Sequence, residues 1–178
     1  MARAIRTLCA VLLLLAAAGA IAQGLARASA VKAAFLYKFG SFVEWPAGVF
    51  RAPTDPIVIG VFGDEAVAAE LEQITQGRRI EMHPIVVRRV RDADDTGGVH
   101  ILYAGGARDQ RSREVLAAAR AGVLTVADGS GAARASPVLH FTEEEGRVRF
   151  SASLTSAGAR GLKLSAKLLA VAQEVEGR

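Results

Sequence analysis

Cysteine is almost absent from this sequence. The chain of 178 residues has one cysteine, Cys9, and it lies in an apolar N-terminal run that we predict to be removed. The mature chain then has no disulfide, no thiol nucleophile and no thiolate metal ligand, so its stability must come from packing. No small-residue lipobox precedes Cys9, and we therefore do not expect a lipid anchor there.

The sequence also lacks the motifs of common catalytic and cofactor sites. His83, His100 and His140 are scattered, with no H-x-x-x-H or H-E-x-x-H spacing, so we predict no metal site. The G-x-S-x-G, G-x-G-x-x-G and Walker lysine patterns are missing. A hydrolase would have to use Ser130 with His140 and an acid in the loop at 128–131, but a turn after a strand explains that loop equally well. We predict no cofactor and no catalytic activity.

Neither sign of charge is in excess. The chain has 22 basic and 18 acidic residues. Arg3 and Arg6 belong to the N-terminal run, and without them 20 basic residues face 18 acidic ones, a formal net charge of +2. The basic residues do not cluster with aromatics, so the composition excludes a nucleic-acid partner. Hydrophobic residues make up 51% and charged residues 22%, which is typical of a globular protein.

Residues 1–22 have the three parts of a signal peptide. Arg3 and Arg6 form the basic region, residues 8–18 are apolar, and Ala20-Ile21-Ala22 supplies an A-x-A cleavage site. An uncleaved anchor is the alternative, but the apolar run is short for a membrane span. We predict cleavage after Ala22, a periplasmic location, a flexible arm over 23–29 and one α/β domain over 30–178.

The hydrophobic pattern of the mature chain alternates between strand and helix. Ile57–Phe62 is apolar on both faces, as in a central parallel strand, and Trp45-Pro46 ends the first helix. This alternation predicts a mostly parallel β-sheet flanked by helices, with a C-terminal β-hairpin at an edge and a terminal helix. The predicted helices cover 30–43, 65–76, 109–120 and 157–175, and the predicted strands cover 57–62, 85–90, 99–103, 123–127, 138–141 and 147–151.

Two groups of residues are candidates for binding a partner. Six of the ten aromatic residues lie between positions 35 and 50, and they could be buried in the core or against another chain. Arg160, Lys163 and Lys167 have the spacing of one basic face on the terminal helix, although plain solvation would also explain them. A helix start at Gly63-Asp64 could hold an anion. The candidate partner-binding residues are Tyr37, Trp45, Arg79, Arg160, Lys163 and Lys167.

Several segments resemble the YfiR family of periplasmic proteins. The most specific are V-K-A-A-F-L-Y-K-F-G-S-F-V-E-W-P at 31–46, R-V-R-F-S-A-S-L at 147–154 and A-R-G-L-K-L-S-A-K-L-L at 159–169. Shorter matches lie between them, and the resemblance covers nearly all of the mature chain. The shorter matches are P-I-V-I-G-V-F-G at 56–63, G-R-R-I at 77–80, H-I-L-Y at 100–103 and L-T-V-A-D at 124–128.

The resemblance implies a regulator that binds a membrane protein. Proteins of this family repress an inner-membrane diguanylate cyclase through its periplasmic sensor domain, which lowers cyclic di-GMP and restrains biofilm formation. The resemblance also implies an outer-membrane lipoprotein and a second copy of the chain as further partners. A small-molecule receptor and a small periplasmic hydrolase are the alternatives.

Three positions depart from the pattern of the relatives. Gly60 and Val99 stand where many relatives have cysteines that form supporting disulfides, so the resemblance implies no redox control here. Ser153 stands where relatives tend to have asparagine, and a polar contact at that strand edge is expected to differ.

The signal peptide leads to a direct test. Mass spectrometry of the periplasmic fraction is expected to find Gln23 as the first residue, because the peptidase needs small side chains at Ala20 and Ala22. A mature pool that retains residues 1–22 would contradict the prediction.

Overall fold

A computed structural model describes residues 23–106, 109–129 and 134–177. The predicted signal peptide, its cleavage site, Cys9 and Ser130 lie outside these residues. The described strands are β1 (Val43–Glu44), β2 (Ile57–Phe62), β3 (Arg79–Ile80), β4 (His83–Arg89), β5 (Ile101–Ala104), β6 (Leu124–Asp128), β7 (Leu139–Glu144), β8 (Arg147–Ser153), β9 (Lys163–Leu164) and β10 (Glu174–Glu176). The described helices are α1 (23–39), α2 (Glu65–Thr75), α3 (Asp109–Ala117), α4 (Leu154–Ala159) and α5 (Ala166–Val171), with a short 3-10 turn at Ala93–Thr96.

The strands form an eight-stranded sheet in the order β10-β8-β7-β6-β5-β2-β4-β3. Strands β4, β2, β5, β6 and β7 run parallel to one another, β3 is antiparallel to β4, and β7 and β8 form an antiparallel hairpin. The short β10 pairs in parallel with β8, so the hairpin lies close to one edge. The mostly parallel α/β fold predicted from the sequence is confirmed.

Two hydrophobic layers cover the two faces of the sheet. Helix α1 packs on the larger core through Ala33, Leu36 and Phe39, together with side chains of α2, α4 and α5. Helix α3 covers the opposite face through Val115 and Leu116. The rings of Phe35 and Phe39 stack at 5.9 Å, and each also meets the rings of Phe141 and Phe150 of the hairpin. All six clustered aromatics lie in or against this domain's own core, with Phe39 fully buried and the other five partly buried.

The first helix and the arm predicted before it have different bounds in the structure. Helix α1 begins at residue 23, so residues 23–29, predicted as a flexible arm, are helical, in keeping with the alanine-rich stretch at 26–30. At its other end α1 stops at residue 39, before the packed Gly40, where a Cβ would meet Ile80 Cδ1 at 2.6 Å. Residues 43–44 form β1 instead of the last part of the predicted helix.

A terminal helix is present, but it is α5, Ala166–Val171, and is shorter than the predicted 157–175. Residue Gly161 has a φ of +72°, which a helix does not allow, and β9 follows it and pairs with β1. Ser165 then caps a new short helix by accepting a hydrogen bond from the Leu168 amide at 3.2 Å. The leucines of 162–169 lie in a turn, a strand and a short helix, and hydrophobic periodicity alone does not distinguish this arrangement from one long helix.

The backbone at Gly63 gives a stability test. Gly63 has a φ of +79°, and a Cβ there would lie 2.3 Å from the Gly105 carbonyl oxygen. Gly48 has a φ of +87° with open space around it. We expect Gly63→Ala to lower the free energy of unfolding by about 3 kcal/mol, because the neighbouring main chain must move, and Gly48→Ala by only about 1 kcal/mol. Urea unfolding measures both, and equal losses would contradict the prediction.

Candidate functional site

The carboxyl ends of the parallel strands hold a buried polar cluster around Tyr103. This tyrosine lies on β5, is fully buried, and directs its hydroxyl between two carboxylates. The hydroxyl oxygen lies 3.1 Å from Asp64 Oδ2 and 3.1 Å from Asp128 Oδ2. Burial, and then the charges of Asp128 and Asp64, raise the pKa of Tyr103 far above its usual value. The phenol therefore stays protonated and serves as a shared hydrogen-bond donor.

Lys32 of α1 completes this cluster. Its Nζ lies 2.6 Å from Asp128 Oδ2, and both side chains are largely buried, with 15% and 20% of their areas exposed. The ammonium group compensates the charge of Asp128 and ties α1 to the end of β6. We call Lys32, Asp64, Tyr103 and Asp128 the Tyr103 cluster.

The Tyr103 cluster occupies the place where α/β folds usually bind ligands. The chain leaves β2 toward β4 and leaves β5 toward β6 on the opposite side, so a topological switch point lies between β2 and β5. Here the two loops touch: a Cβ on Gly106 would lie 2.5 Å from the Gly63 carbonyl oxygen. The crevice between these two strand ends is closed by the protein's own atoms.

The predicted anion site at Gly63-Asp64 lies at this same edge, where α2 begins. Asp64 is the N-cap of α2, and its Oδ1 accepts a hydrogen bond from the Val67 amide at 3.1 Å. A carboxylate thus already occupies the positive end of this helix. An external anion would meet the charge of Asp64, so the arrangement does not favour one.

The loop suggested for a hydrolase is described only in part. His140 lies on β7, and its Nε2 is 3.1 Å from the Gly129 carbonyl oxygen. This ring nitrogen is therefore already in a hydrogen bond with the main chain. Among the described residues, no three histidine, cysteine, aspartate or glutamate side chains group as ligands for a metal ion.

Tyr37 and Arg79 lie near each other at the opposite, amino-terminal edge of the sheet. Arg79 is exposed on β3 and donates to the Met82 carbonyl oxygen at 3.1 Å. Arg78 and Lys38 lie over the half-buried ring of Tyr37, at 5.8 and 5.6 Å from its centroid. The arrangement is a basic surface with a tyrosine at its centre, next to the exposed Met82. We call these five residues the Tyr37 patch.

Trp45 is half-buried at the same edge and packs within the domain. Its ring meets that of Phe50 at 5.6 Å, edge to face, and its Nε1 is buried with no hydrogen-bond partner among the residues that the structure describes. Phe50 in turn stacks on His83 at 4.3 Å and on His100 at 4.6 Å. Much of the Trp45 ring thus serves the domain's own packing.

The basic face predicted for one helix is wrong. Arg160 follows α4 and its guanidinium donates to the carbonyl oxygens of Ala119 and Arg120 at 3.1 and 3.2 Å, so it holds the loop before β6. Lys163 is exposed on β9 and lies 3.9 Å from Glu44. Lys167 is exposed on α5. The three residues lie on three different elements, because Gly161 and Ser165 interrupt the expected helix.

Sequence reasoning missed the Tyr103 cluster and the stack around Phe50. One signal was present: Asp64 follows β2 and Asp128 ends β6, and the carboxyl ends of parallel strands meet at one edge. Nothing in the spacing indicates that Lys32 and Tyr103 reach the same point. The stack of Phe50 between His83 and His100 joins three distant segments and has no local signature.

The family of the chain follows from a comparison with family models. A model described as YfiR/HmsC-like matches residues 29–173, which is most of the chain. The chain belongs to the YfiR/HmsC-like family. Family membership supports a signalling regulator as the class of function, in agreement with the resemblance seen in the sequence.

Other comparisons add little. A conserved domain protein from Vibrio cholerae O1 biovar El Tor is similar in structure, with 12% sequence identity and a TM-score of 0.47. The match covers 67% of this chain and 55% of that one, so this chain spans about half of its length. No curated protein matches the chain. In the part of the chain that the structure describes, none of the helices has the length and apolar character to span a bilayer.

The structure shows what Gly60, Val99 and Ser153 of this YfiR/HmsC-like chain do, the three positions that the resemblance singled out. A Cβ on Gly60 would lie 2.8 Å from Val99 Cγ1, so positions 60 and 99 are neighbours and Val99 fills the space that Gly60 leaves. Ser153 caps α4 by accepting from the Ser156 amide at 3.2 Å, a role that asparagine also suits. Val99 thus has a packing role beside Gly60, and Ser153 has a capping role at the start of α4.

The buried hydroxyl of Tyr103 predicts the alkaline titration of the protein. The chain has two tyrosines, Tyr37 and Tyr103. Because the pKa of Tyr103 is raised, we expect Tyr103 of the folded protein to give no phenolate signal near pH 10, and stability to fall once the pH exceeds about 10, where this group ionises in the unfolded chain. The ultraviolet phenolate signal of folded protein near pH 10 should therefore be the same in Tyr103→Phe as in the wild type; a smaller signal in the variant would contradict the prediction.

Proposed function

We propose that this protein is a periplasmic regulatory protein that represses a membrane-bound diguanylate cyclase by binding its periplasmic sensor domain. The observation that carries the proposal is the YfiR/HmsC-like match over residues 29–173. The match begins within α1 and extends past the end of α5. We therefore compare the whole domain with the repressors of the family.

The Tyr103 cluster supports a binding function over catalysis. At the strand ends where α/β enzymes place substrates, the loops at Gly63 and Gly106 touch. Tyr103 and Lys32 satisfy the two carboxylates there. Groups that are already paired and buried are poor starting points for chemistry on an external substrate.

The Tyr37 patch is the surface that we propose for the partner. Arg78 and Lys38 lie over a half-buried tyrosine. Arg79 follows Arg78 and donates to the carbonyl oxygen of Met82, whose side chain is 58% exposed. Aromatic, arginine and methionine side chains are enriched at protein interfaces. The three positive charges suit an acidic surface on the sensor domain, and complementary charge accelerates the encounter.

The other predicted residues take different parts in this proposal. Lys163 and Lys167 are exposed and suit the rim of the same contact. Trp45 and Arg160 hold the loops around it: Trp45 packs on Phe50, and Arg160 binds main-chain carbonyls. We therefore expect substitution of Trp45 or Arg160 to act through stability.

A small-molecule receptor is a second candidate, and one observation favours it. A half-open groove of about 620 Å³ lies along β7, β8 and β10, within the size range of small-ligand sites. It is lined by hydroxyl groups, His140, Glu174 and Glu176. A change in the melting temperature with a polar metabolite, abolished by filling the groove with Ser151→Trp, would support this function.

The repressor proposal is tested by a charge reversal with a matched control. Arg79→Glu should weaken binding to the solubilised sensor domain about tenfold, and more at low salt, because it places like charges across the contact. Arg147→Glu makes the same change on an exposed residue at the opposite edge of the sheet, so it should bind as the wild type does. Surface plasmon resonance at two salt concentrations measures both.

Deletion in the cell gives the second readout. Loss of the protein should raise the cyclic di-GMP level of the cell. Expression of the exported wild type or of Arg147→Glu should return that level to the value of the parent strain, whereas Arg79→Glu should not. Unchanged cyclic di-GMP in the deletion strain would contradict the repressor function. Equal behaviour of the two variants would contradict the Tyr37 patch alone.

A further inference from the structure

The loop between β1 and β2 is held against the sheet by two histidines that stack on one phenylalanine. Phe50 lies within this loop, His83 begins β4, and His100 directly precedes β5. The centroid distances from Phe50 are 4.3 Å to His83 and 4.6 Å to His100, and the ring of His100 is inclined by only 13°. Three segments far apart in the sequence therefore meet in one stack.

The two histidines differ in what they do with their Nδ1 atoms. The Val58 amide donates to Nδ1 of His100 at 3.0 Å, so this nitrogen must be without a proton. Nδ1 of His83 lies 2.6 Å from the Asp55 carbonyl oxygen, which can only accept, so this nitrogen must carry a proton. His83 keeps its contact whether it is neutral or charged, whereas His100 keeps its contact only when it is neutral.

We propose that His100, His83 and Phe50 form a proton-sensitive clasp, which holds the segment 45–55 when His100 is neutral and releases it when His100 is protonated. A proton on Nδ1 would face the Val58 N–H, and two donors cannot bond to each other. The Val58 amide would lose its acceptor, and a positive charge would lie beside His83. This device goes beyond the repressor function and does not depend on it.

The groups that face His100 make protonation difficult in the closed clasp. Burial is the largest effect on the pKa of His100 and lowers it, and the neighbouring His83 lowers it further. A main-chain hydrogen bond to Val49 and the charge of Asp55 raise it. The net effect is a pKa below the usual 6.5. Asp55 is itself engaged by the Arg51 and Ala52 amides. The stack on Phe50 and the hydrogen bond to Val49 would both favour an imidazolium, but neither restores an acceptor to the Val58 amide.

The sign of the pH dependence follows. A histidine that is neutral in the closed state and has its usual pKa in the open state takes up a proton on opening. The clasp therefore has its full stability above the usual pKa of 6.5 and loses stability as the pH falls below it. Acidification is expected to open the loop while the sheet and α1 remain folded, because His100 is not part of either hydrophobic core that holds them together.

Trp45 reports on this clasp directly. It is the only tryptophan in the chain, it lies in the loop, and its ring meets Phe50 at 5.6 Å. Between about pH 8 and about pH 5, we expect its emission maximum to shift to longer wavelength while the far-ultraviolet circular dichroism is retained. The emission maximum is the quantity to follow, since a nearby imidazolium can quench intensity without any movement.

Two variants separate the clasp from a general effect of acid. His100→Asn keeps an acceptor for the Val58 amide and does not titrate, so its emission maximum should not change with pH. His140→Asn is the matched control: this histidine lies on β7 against Gly129, outside the stack, and the variant should show the wild-type transition. Nuclear magnetic resonance of the imidazoles in the wild type should give His100 a pKa below 6.5 and a proton on Nε2.

The proposal is overturned by any of three results. These are an emission maximum that does not change with pH in the wild type, the same transition in His100→Asn, or loss of the sheet signal together with the shift. If His100→Asn does not fold, the resonance measurement on the wild type decides. A His100 pKa of 6.5 or above would then overturn the proposal, and a lower pKa with Nδ1 unprotonated would support it.

Discussion

The packing of α1 across the sheet is the constraint on which the rest of the structure depends. Phe35 and Phe39 interlock with Phe141 and Phe150 of the hairpin, and such aromatic contacts are directional as well as apolar. With α1 fixed in this way, Lys32 reaches the carboxyl ends of the strands and Tyr37 reaches the amino-terminal side. One helix therefore closes one edge of the sheet and provides the proposed binding surface at the other.

The two edges of the sheet differ in whether their polar side chains are already paired or are accessible to a partner. At the closed edge, charges are paired with each other and with a phenol, which leaves little for a ligand to satisfy. At the other edge, the basic side chains of Arg78 and Arg79 are exposed, and the loop that carries Trp45 is held by the stack of Phe50 on two imidazoles. A protein that works by contact with another protein needs an accessible surface more than a crevice, and the fold provides it.

The fold was predictable where the signal was local. The apolar run Ile57–Phe62 and the turn signals around it predict β2 with its observed bounds, and the strand and helix alternation predicts the parallel sheet. The terminal segment was not predictable, because the leucines of 162–169 serve a turn, a strand and a helix as well as they would serve one helix. The decisive residues there were Gly161 and Ser165, whose effects are easy to underrate beside a hydrophobic repeat.

The polar clusters were less predictable still. Asp64 and Asp128 could be placed at one edge from topology alone, but the position of Lys32 depends on where α1 packs along the sheet. Likewise, Tyr37 and Arg79 were recognised one at a time, and only the turn between α2 and β4 brings Arg78 over the tyrosine ring. Long-range juxtapositions of this kind arise from packing, which no spacing rule describes.

The pairing of Gly60 with Val99 has a consequence for how the chain reaches its native state. An apolar contact stands there, and the described residues contain no cysteine, so folding of the described domain requires no oxidant and no isomerase to correct a wrong sulfur linkage. The slow event should instead be the formation of the longest-range contacts, such as the pairing of Val43 with Leu164 and the packing of Phe35 on Phe150, because the closure of such long loops is entropically costly. The speed of maturation is thus set by chain topology and not by the redox state of the compartment.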